Sequence, residues 1–315
     1  MRKEQAKEFY RTMLRIRRFE EEVFEFYKKG LMPGLAHLYL GEEAVATGAC
    51  AALLEKDFIG STHRGHGHLV ARGADLNRMM AEILGKASGY SKGKGGSMHI
   101  IAMDKGILGA NGIVGGEIPI ATGAAYASKY KGTDEVTVVF FGDGATNEGT
   151  FHESVNMASA WDLPIVFVIE NNLYGISVDI RRVVKEHKLS RRAVGYGIEG
   201  VTIDGNEVED VYKTVKKAVN KARSGGGPTI IECLTYRWQG HHVGDPGDYR
   251  PAEEVEAWKR KDPILVLEEK GLLTGDELRE IKEAVETEIA EACKFAEESP
   301  YPEKSEAYTD VFVNQ

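Results

Sequence analysis

The stretch GDGATNEGTFHESVNMASAWDLPIVFVIENNLYGIS, residues 142–177, constrains the fold of this chain more than any other. An apolar run, residues 136–141, stops at Gly142-Asp143-Gly144; a second, residues 164–169, stops at Glu170-Asn171-Asn172. Between them a helix-like segment carries Phe151, Val155, Ala158 and Trp161 on one face, as packing on a sheet requires. The unit reads as strand, helix, strand. A right-handed crossover lets the two strands be parallel neighbours, so Asp143 and Asn172, about thirty residues apart, emerge at the same carboxyl edge. Two hard oxygen ligands there suit a magnesium ion that keeps positions for water or phosphate. GDG alone fits better a Gly-rich strand-to-helix turn in some other α/β protein; it is the second strand end at the right distance that favours the ligand reading.

The remainder of the chain extends this pattern. Residues 198–240 read as strand, helix, strand, with Asn206 as N-cap and the Gly-Gly-Gly-Pro run at 225–228 stopping the helix. Such alternation predicts an α/β fold, a mostly parallel sheet covered by helices. Residues 4–29 form a long amphipathic helix through Phe9, Met13, Ile16, Phe19 and Val23, placed either on its own core or, as an arm, against a partner. A further helix spans about 41–54. A capping box, Thr274 with Glu277, opens a C-terminal helix over 274–298. With no internal repeat and no linker, 1–315 reads as one domain with helical arms at 1–30 and 274–298.

Charge and cysteine usage exclude several classes. The net charge of −9, with no basic block, argues against nucleic acid as a partner. Cys50, Cys233 and Cys293 have no paired spacing and read as reduced thiols of a cytoplasmic protein. No secretory signal opens the chain, and no run approaches the ~18 apolar residues of a membrane span.

Chemistry-bearing residues collect in glycine-rich loops. His63, Arg64, His66 and His68 follow a short strand at 58–61, where glycines admit close backbone approach and His and Arg donate to phosphate oxygens. A His66/His68 metal pair is the rival reading, without an acidic ligand beside it. His37 lies among apolar residues and reads as a hydrogen-bonded core histidine. GYSKGKGGSMHII, residues 89–101, is either a flexible linker or a binding loop, and Arg181, Arg182, Arg191 and Arg192 are either a solvated face or a partner surface. His241 and His242, amid Gly240, Gly244 and Gly247, sit on a third loop that a ligand must order.

In their order THRGHG, GKGGSMH, NGIVGGEIP, GDGATNEG, ENNLYGIS and YRWQGHH, these loops resemble the α subunit of the thiamin diphosphate-dependent first component of 2-oxo acid and acetoin dehydrogenase complexes. The resemblance covers nearly the whole chain. It implies the thiamin diphosphate-binding fold and a magnesium ion held by Asp143, Asn172 and the carbonyl of Tyr174, with Gly142 and Gly144 shaping the turn. His63, Arg64 and His241 would meet the diphosphate, Gly112 and Val114 the aminopyrimidine, and Ile176 the underside of the bent cofactor. By analogy His66, His37 and His241 would serve acid–base work. The resemblance also implies a β subunit that completes the site in a heterotetramer of two α and two β subunits, and a lipoyl-bearing acyltransferase that receives the acyl fragment. STHRGHGH is similar to acetoin dehydrogenases, pyruvate dehydrogenase being next and a branched-chain 2-oxo acid enzyme an alternative. His242 stands where several relatives have a phosphorylatable serine.

Three other classes compete. A nicotinamide fingerprint needs glycine at 147, where Asn147 stands. A histidine-based metallohydrolase would use His63, His66, His68, His241 and His242. A scaffold would have no reason to bind thiamin diphosphate.

Overall fold

The structure, a computed structural model, describes residues 1–313. Its helices and strands run α1 (Lys3–Lys28), α2 (Glu43–Ala51), β1 (Phe58–Gly60), α3 (His66–Ala71), α4 (Leu76–Ile83), β2 (Ile107–Gly109), α5 (Glu117–Lys131), β3 (Thr137–Gly142) and α6 (Gly149–Ala160). There follow β4 (Ile165–Asn171), β5 (Tyr174–Gly175), β6 (Val178–Asp179), β7 (Glu199–Asp204), α7 (Val208–Arg223), β8 (Thr229–Leu234), α8 (Ala252–Lys259), α9 (Pro263–Glu269) and α10 (Gly275–Glu298). Six strands form one sheet in the order β2-β1-β3-β4-β8-β7, and every pair in it is parallel. This is the α/β architecture expected from the sequence. Strands β5 and β6 make a separate antiparallel ribbon just beyond the β4 edge.

The sheet's centre explains its all-apolar strands. Covered on both faces, β3 and β4 have no solvent side, so their sequences cannot alternate with polar residues. Successive residues instead enter different cores. Val138 and Phe140 join α1, α2, α7 and α10 on one face, whereas Val139 and Phe141 join α5 and α6 on the other. Gly142 pairs with Glu170 in the β3/β4 register, so Asp143 and Asn172 leave one carboxyl edge together.

Packing corrects several local expectations. Helix α1 is no arm: Phe9, Met13, Ile16, Phe19, Val23 and Phe26 are buried in the core beneath the sheet, and the helix packs on α2, α3, α9 and α10. The C-terminal helix α10 likewise packs on α1 and α4, and its Thr274/Glu277 capping box is formed. Helix α2 begins at Glu43 because Gly41 has φ of +98°, and a side chain there would overlap the Tyr236 carbonyl and the Trp238 ring. Trp161 falls beyond the last turn of α6 and tilts against Tyr126 at the surface instead of joining Phe151, Val155 and Ala158. Glu207, not Asn206, caps α7; Asn206 is spent bridging Thr235 and the Lys261 carbonyl.

The glycine- and lysine-rich segment is a pinned loop, not a linker. Buried Glu82 accepts from the backbone N–H groups of Ser91, Gly93, Gly95 and Gly96 at 2.8–3.0 Å. Of the arginines, Arg192 donates to the Thr146 carbonyl and Asn147, bracing the turn after Asp143. Arg181 and Arg191 make exposed ion pairs with Asp179 and Glu186, a type worth little to stability. No helix among the described residues is long and apolar enough to cross a membrane.

Candidate active site

A cavity of about 280 Å³ opens at the carboxyl ends of β1, β3 and β4. This is where ligands bind in open parallel sheets, because the strands end there and the loops diverge. Its lining includes His63, Arg64, Val114, Gly142, Asp143, Gly144, Asn172, Tyr174, Ile176 and His241, loops separated by nearly two hundred residues of chain. Of the residues expected at the site, Gly112, His37 and His66 are not in the lining.

Close backbone approach builds the floor. A Cβ placed on Gly144 would lie 3.5 Å from the Gly175 Cα, so the GDG turn and the YG ribbon touch through glycines. Between them Leu173 and Ile176 adopt φ of +72° and +53°. For a β-branched residue that conformation is strained, and such strain is held where the surroundings over-determine it. It presents Ile176, more than half exposed, at the cavity mouth.

Asp143 is the most telling residue of the floor. It is 1% exposed, its Oδ2 has no hydrogen-bond partner, and burial pushes its carboxyl up to about 7. A buried oxygen left without a partner costs stability unless a ligand satisfies it. Nearby, the Asn172 side-chain N–H donates to Glu42 at 3.1 Å, and its amide oxygen, which accepts only a long bond of 3.5 Å from the Tyr174 N–H, keeps a lone pair for a cation. The Tyr174 carbonyl accepts from Arg237 at 2.8 Å and keeps a second lone pair. The donor set is therefore all oxygen, without histidine or thiolate, and fits a hard divalent ion such as Mg²⁺.

Arg64 organises the wall above. Its guanidinium donates to the Leu38 carbonyl at 2.6 Å and the His241 carbonyl at 3.1 Å, and lies 3.4 Å from Glu42. Burial holds Glu42 above the ordinary carboxylate range against the pull of Arg64. Those bonds gather His37, His63 and His241 edge to face, with ring centroids 4.6–5.3 Å apart. Burial first, then the Arg64 charge, lowers His63 to about 3 and His241 to about 4. All three rings are neutral at physiological pH. His37 is thus buried, as expected, but its Nδ1 has no partner, so it is not the hydrogen-bonded core histidine read from its neighbours.

His66 is corrected more sharply. Expected at the reaction centre, it is buried under Phe19 with Nδ1 on Glu20 at 3.0 Å and Nε2 on Ser97 at 3.0 Å. Both ring nitrogens are taken, and the residue ties α1 to the pinned loop. His68 bonds Ser61 at 2.8 Å and Glu170 at 2.9 Å, and Tyr39 also donates to Glu170. The His66/His68 metal pair therefore does not form: two positions apart on α3, the two rings point to different partners. The five-histidine hydrolase site fails for the same reason. Gly112 lies beside the His99 ring, one step behind Ile113 and Val114 at the rim.

Sequence reading missed Glu42, Glu117, Glu170 and Arg237. Glu117 and Glu170 carry a signal in retrospect: each is an acid in an otherwise apolar or glycine-rich run that ends at the sheet edge. Glu117 is 5% exposed, with Oε1 unpartnered and Asn111 3.5 Å from the other oxygen. Only a glycine at position 60 leaves room for it. Burial raises its carboxyl to about 7, so the folded protein binds this proton more tightly than the unfolded chain. The stabilising contribution is full below the unfolded value of about 4.5 and is lost as pH rises through 7. Glu117→Gln is expected to match the wild type in thermal melts at pH 5 and to exceed it by ~1–3 kcal/mol at pH 8.5. Equal melting at both pH values would show that Glu117 carries no buried charge.

Comparison with known proteins agrees with this geometry. The dehydrogenase E1 component family matches residues 11–305. The α subunit of acetoin:2,6-dichlorophenolindophenol oxidoreductase from Bacillus subtilis (strain 168) is 50% identical over 314 residues, covering 99% of this chain and 94% of that protein. Its counterpart from Cupriavidus necator is 43% identical, covering 97% and 93%. The pyruvate dehydrogenase E1 component α subunit of Rhizobium meliloti (strain 1021) is 42% identical, covering 99% and 91%. A parallel sheet with its cavity at the β3/β4 edge, together with similarity along nearly the whole chain, places this protein in the dehydrogenase E1 component family.

Proposed function

We propose that this chain is the α subunit of an acetoin-cleaving or pyruvate-oxidising first component that uses thiamin diphosphate and Mg²⁺ and shares its active site with a β subunit. The observation that carries the reading is Asp143: a buried, unpartnered carboxylate oxygen beside the oriented amide of Asn172, on the floor of a cavity walled by Arg64, His63 and His241. The bound cofactor supplies carbanion chemistry at its thiazolium ring. This chain's residues bind and orient it. Asp143, Asn172 and the Tyr174 carbonyl hold the ion. Arg64, His63 and His241 face the diphosphate, where the neutral imidazoles act as donors rather than as fixed charges. Val114 and the backbone at Gly112 receive the pyrimidine, and Ile176 supports the ring from below. His241, at the cavity wall, is the better placed of the histidines for proton work; His66 is removed from that role by its two hydrogen bonds.

The partner reading has its own support. Ile113 is 72% exposed, and Val114 and Ile176 are also exposed, so the cavity mouth has an apolar rim that a second subunit would cover. On this reading two α and two β subunits form the enzyme, and the acyl fragment passes to a lipoyl group on an acyltransferase. Cys50 and Cys233 are buried free thiols, which supports a reducing, cytoplasmic setting. The relatives named above favour acetoin first and pyruvate second over a branched-chain substrate. The test is dye reduction by the complex purified through a tag on this chain, loaded with thiamin diphosphate and Mg²⁺. Acetoin should support faster 2,6-dichlorophenolindophenol reduction than pyruvate. A loaded complex inert toward both would sink the assignment.

A further inference from the structure

His37, His63 and His241 lie together without the hydrogen bonds that usually hold buried imidazoles. One ring nitrogen from each lies within 4.8 Å of the others. The Nδ1 atoms of His37 and His241 are buried and unpartnered. Their placement is built, not accidental: Arg64 bonds the carbonyl of Leu38, next to His37, and the carbonyl of His241 itself. Asp245 fixes the same loop through the His241 N–H at 2.5 Å. The rings come from three separate loops, and one guanidinium and one carboxylate set their spacing.

We propose that His37, His63 and His241 form a three-imidazole site for a borderline-soft divalent transition metal of the zinc type, distinct from the all-oxygen magnesium site at Asp143. Three nitrogens on a tetrahedral ion at about 2.0–2.1 Å stand about 3.4 Å apart, so inward rotation of the half-buried His63 and His241 rings closes the set. Imidazole ligands must be unprotonated to bind, and burial beside Arg64 keeps these rings neutral across the physiological range. Three protein ligands leave a fourth position open to water. Magnesium does not compete, because it demands hard oxygen donors. Resting on the reading that His63 and His241 meet the diphosphate, a metal held here takes the same imidazoles and excludes the cofactor's anionic end, so zinc would inhibit the enzyme by competition with thiamin diphosphate.

Cobalt(II) is the probe, because a four-coordinate ion gives an intense visible ligand-field band that an all-oxygen octahedral site does not. Titrated into the complex purified through a tag on this chain and freed of cofactor, Co²⁺ should produce that band at one ion per copy of this chain, and Zn²⁺ should displace it. His63→Phe, with its ring at the half-buried position, and His37→Ala should each weaken binding by about 100-fold or more, beyond what loss of an outer-shell partner costs. His152→Ala, remote from the cluster, should leave the band intact. Circular dichroism melts identify a variant that has failed to fold, and the other histidine variant then decides. Absence of the band, or its survival in both folded histidine variants, overturns the site. Addition of thiamin diphosphate with Mg²⁺ should bleach the band in the wild type. A band that depends on the histidines yet persists when the bound cofactor is measured directly would uphold the metal site and overturn the assignment of His63 and His241 to the diphosphate. A preparation that binds cobalt as described but never the cofactor would instead overturn the proposed function.

Discussion

Asp143→Ala is expected to abolish magnesium-dependent binding of thiamin diphosphate, weakening it by more than about 100-fold, since even the outer-shell partners of a metal site cost 10–100-fold. The residue is chosen because the protein itself leaves its carboxylate only partly satisfied. Its Oδ2 has no partner within the protein, and burial has already raised the acid toward neutrality. A carboxyl in that state is destabilising unless a cation lies against it. The variant should therefore melt no lower than the wild type in the absence of ligand while losing the cation-dependent increase in melting temperature that ligand confers. Calorimetric titration of thiamin diphosphate with Mg²⁺ into the tagged complex measures the loss. If the variant binds as the wild type does, the ion is held elsewhere and the roles of Asn172 and Tyr174 fall with that of Asp143.

Arg64→Ala should have the opposite signature, a loss of both fold stability and binding. Its guanidinium, itself buried, satisfies two backbone carbonyls and stands beside buried Glu42. Truncation leaves those carbonyls unpaired and removes the ion-pair partner of Glu42, so about 2–4 kcal/mol of stability should be lost. The loops bearing His37 and His241 would then separate, and the diphosphate wall with them. Arg64→Lys is the discriminating variant. A lysine restores the charge but not the planar fork that spans two carbonyls, so it should recover little of the melting temperature. Full recovery with lysine would mean that charge alone, not the clamp between loops, is what Arg64 supplies.

Much of this site was legible in the order of letters, for a specific reason. The ends of parallel strands with apolar cores are easy to locate, and a parallel crossover puts two such ends on one edge whatever the details of the helix between them. Asp143 and Asn172 could be paired from spacing for that reason, and the capping box at Thr274 could be read because it involves only neighbours in sequence. Loop residues facing one another across the chain had no such local signal. His37 looked like an ordinary core histidine because its sequence neighbours are apolar; its actual neighbours are His63 and His241, brought to it by Arg64. His66 and His68 looked equivalent in the same motif, yet a helix turns residues two apart through about 200° and so gave one ring to Glu20 and Ser97 and the other to Ser61 and Glu170.

The amphipathic first helix makes the same distinction at larger scale. Its stripe of Phe9, Met13, Ile16, Phe19 and Val23 required something to cover it, but periodicity cannot say whether the cover is this chain or another. The tertiary structure closes it against the chain's own α2, α3, α9 and α10. Strand ends, the Thr274 capping box, the apolar stripe and the emergence of Asp143 and Asn172 at one edge were thus determined by sequence alone, because each follows from local geometry or from the one handedness that crossovers adopt. The ionisation of Glu42, Glu117 and Asp143, the clamp made by Arg64 and the meeting of three histidines were decided only by tertiary structure, because burial and contact between distant loops are properties of the packed molecule and of no segment within it.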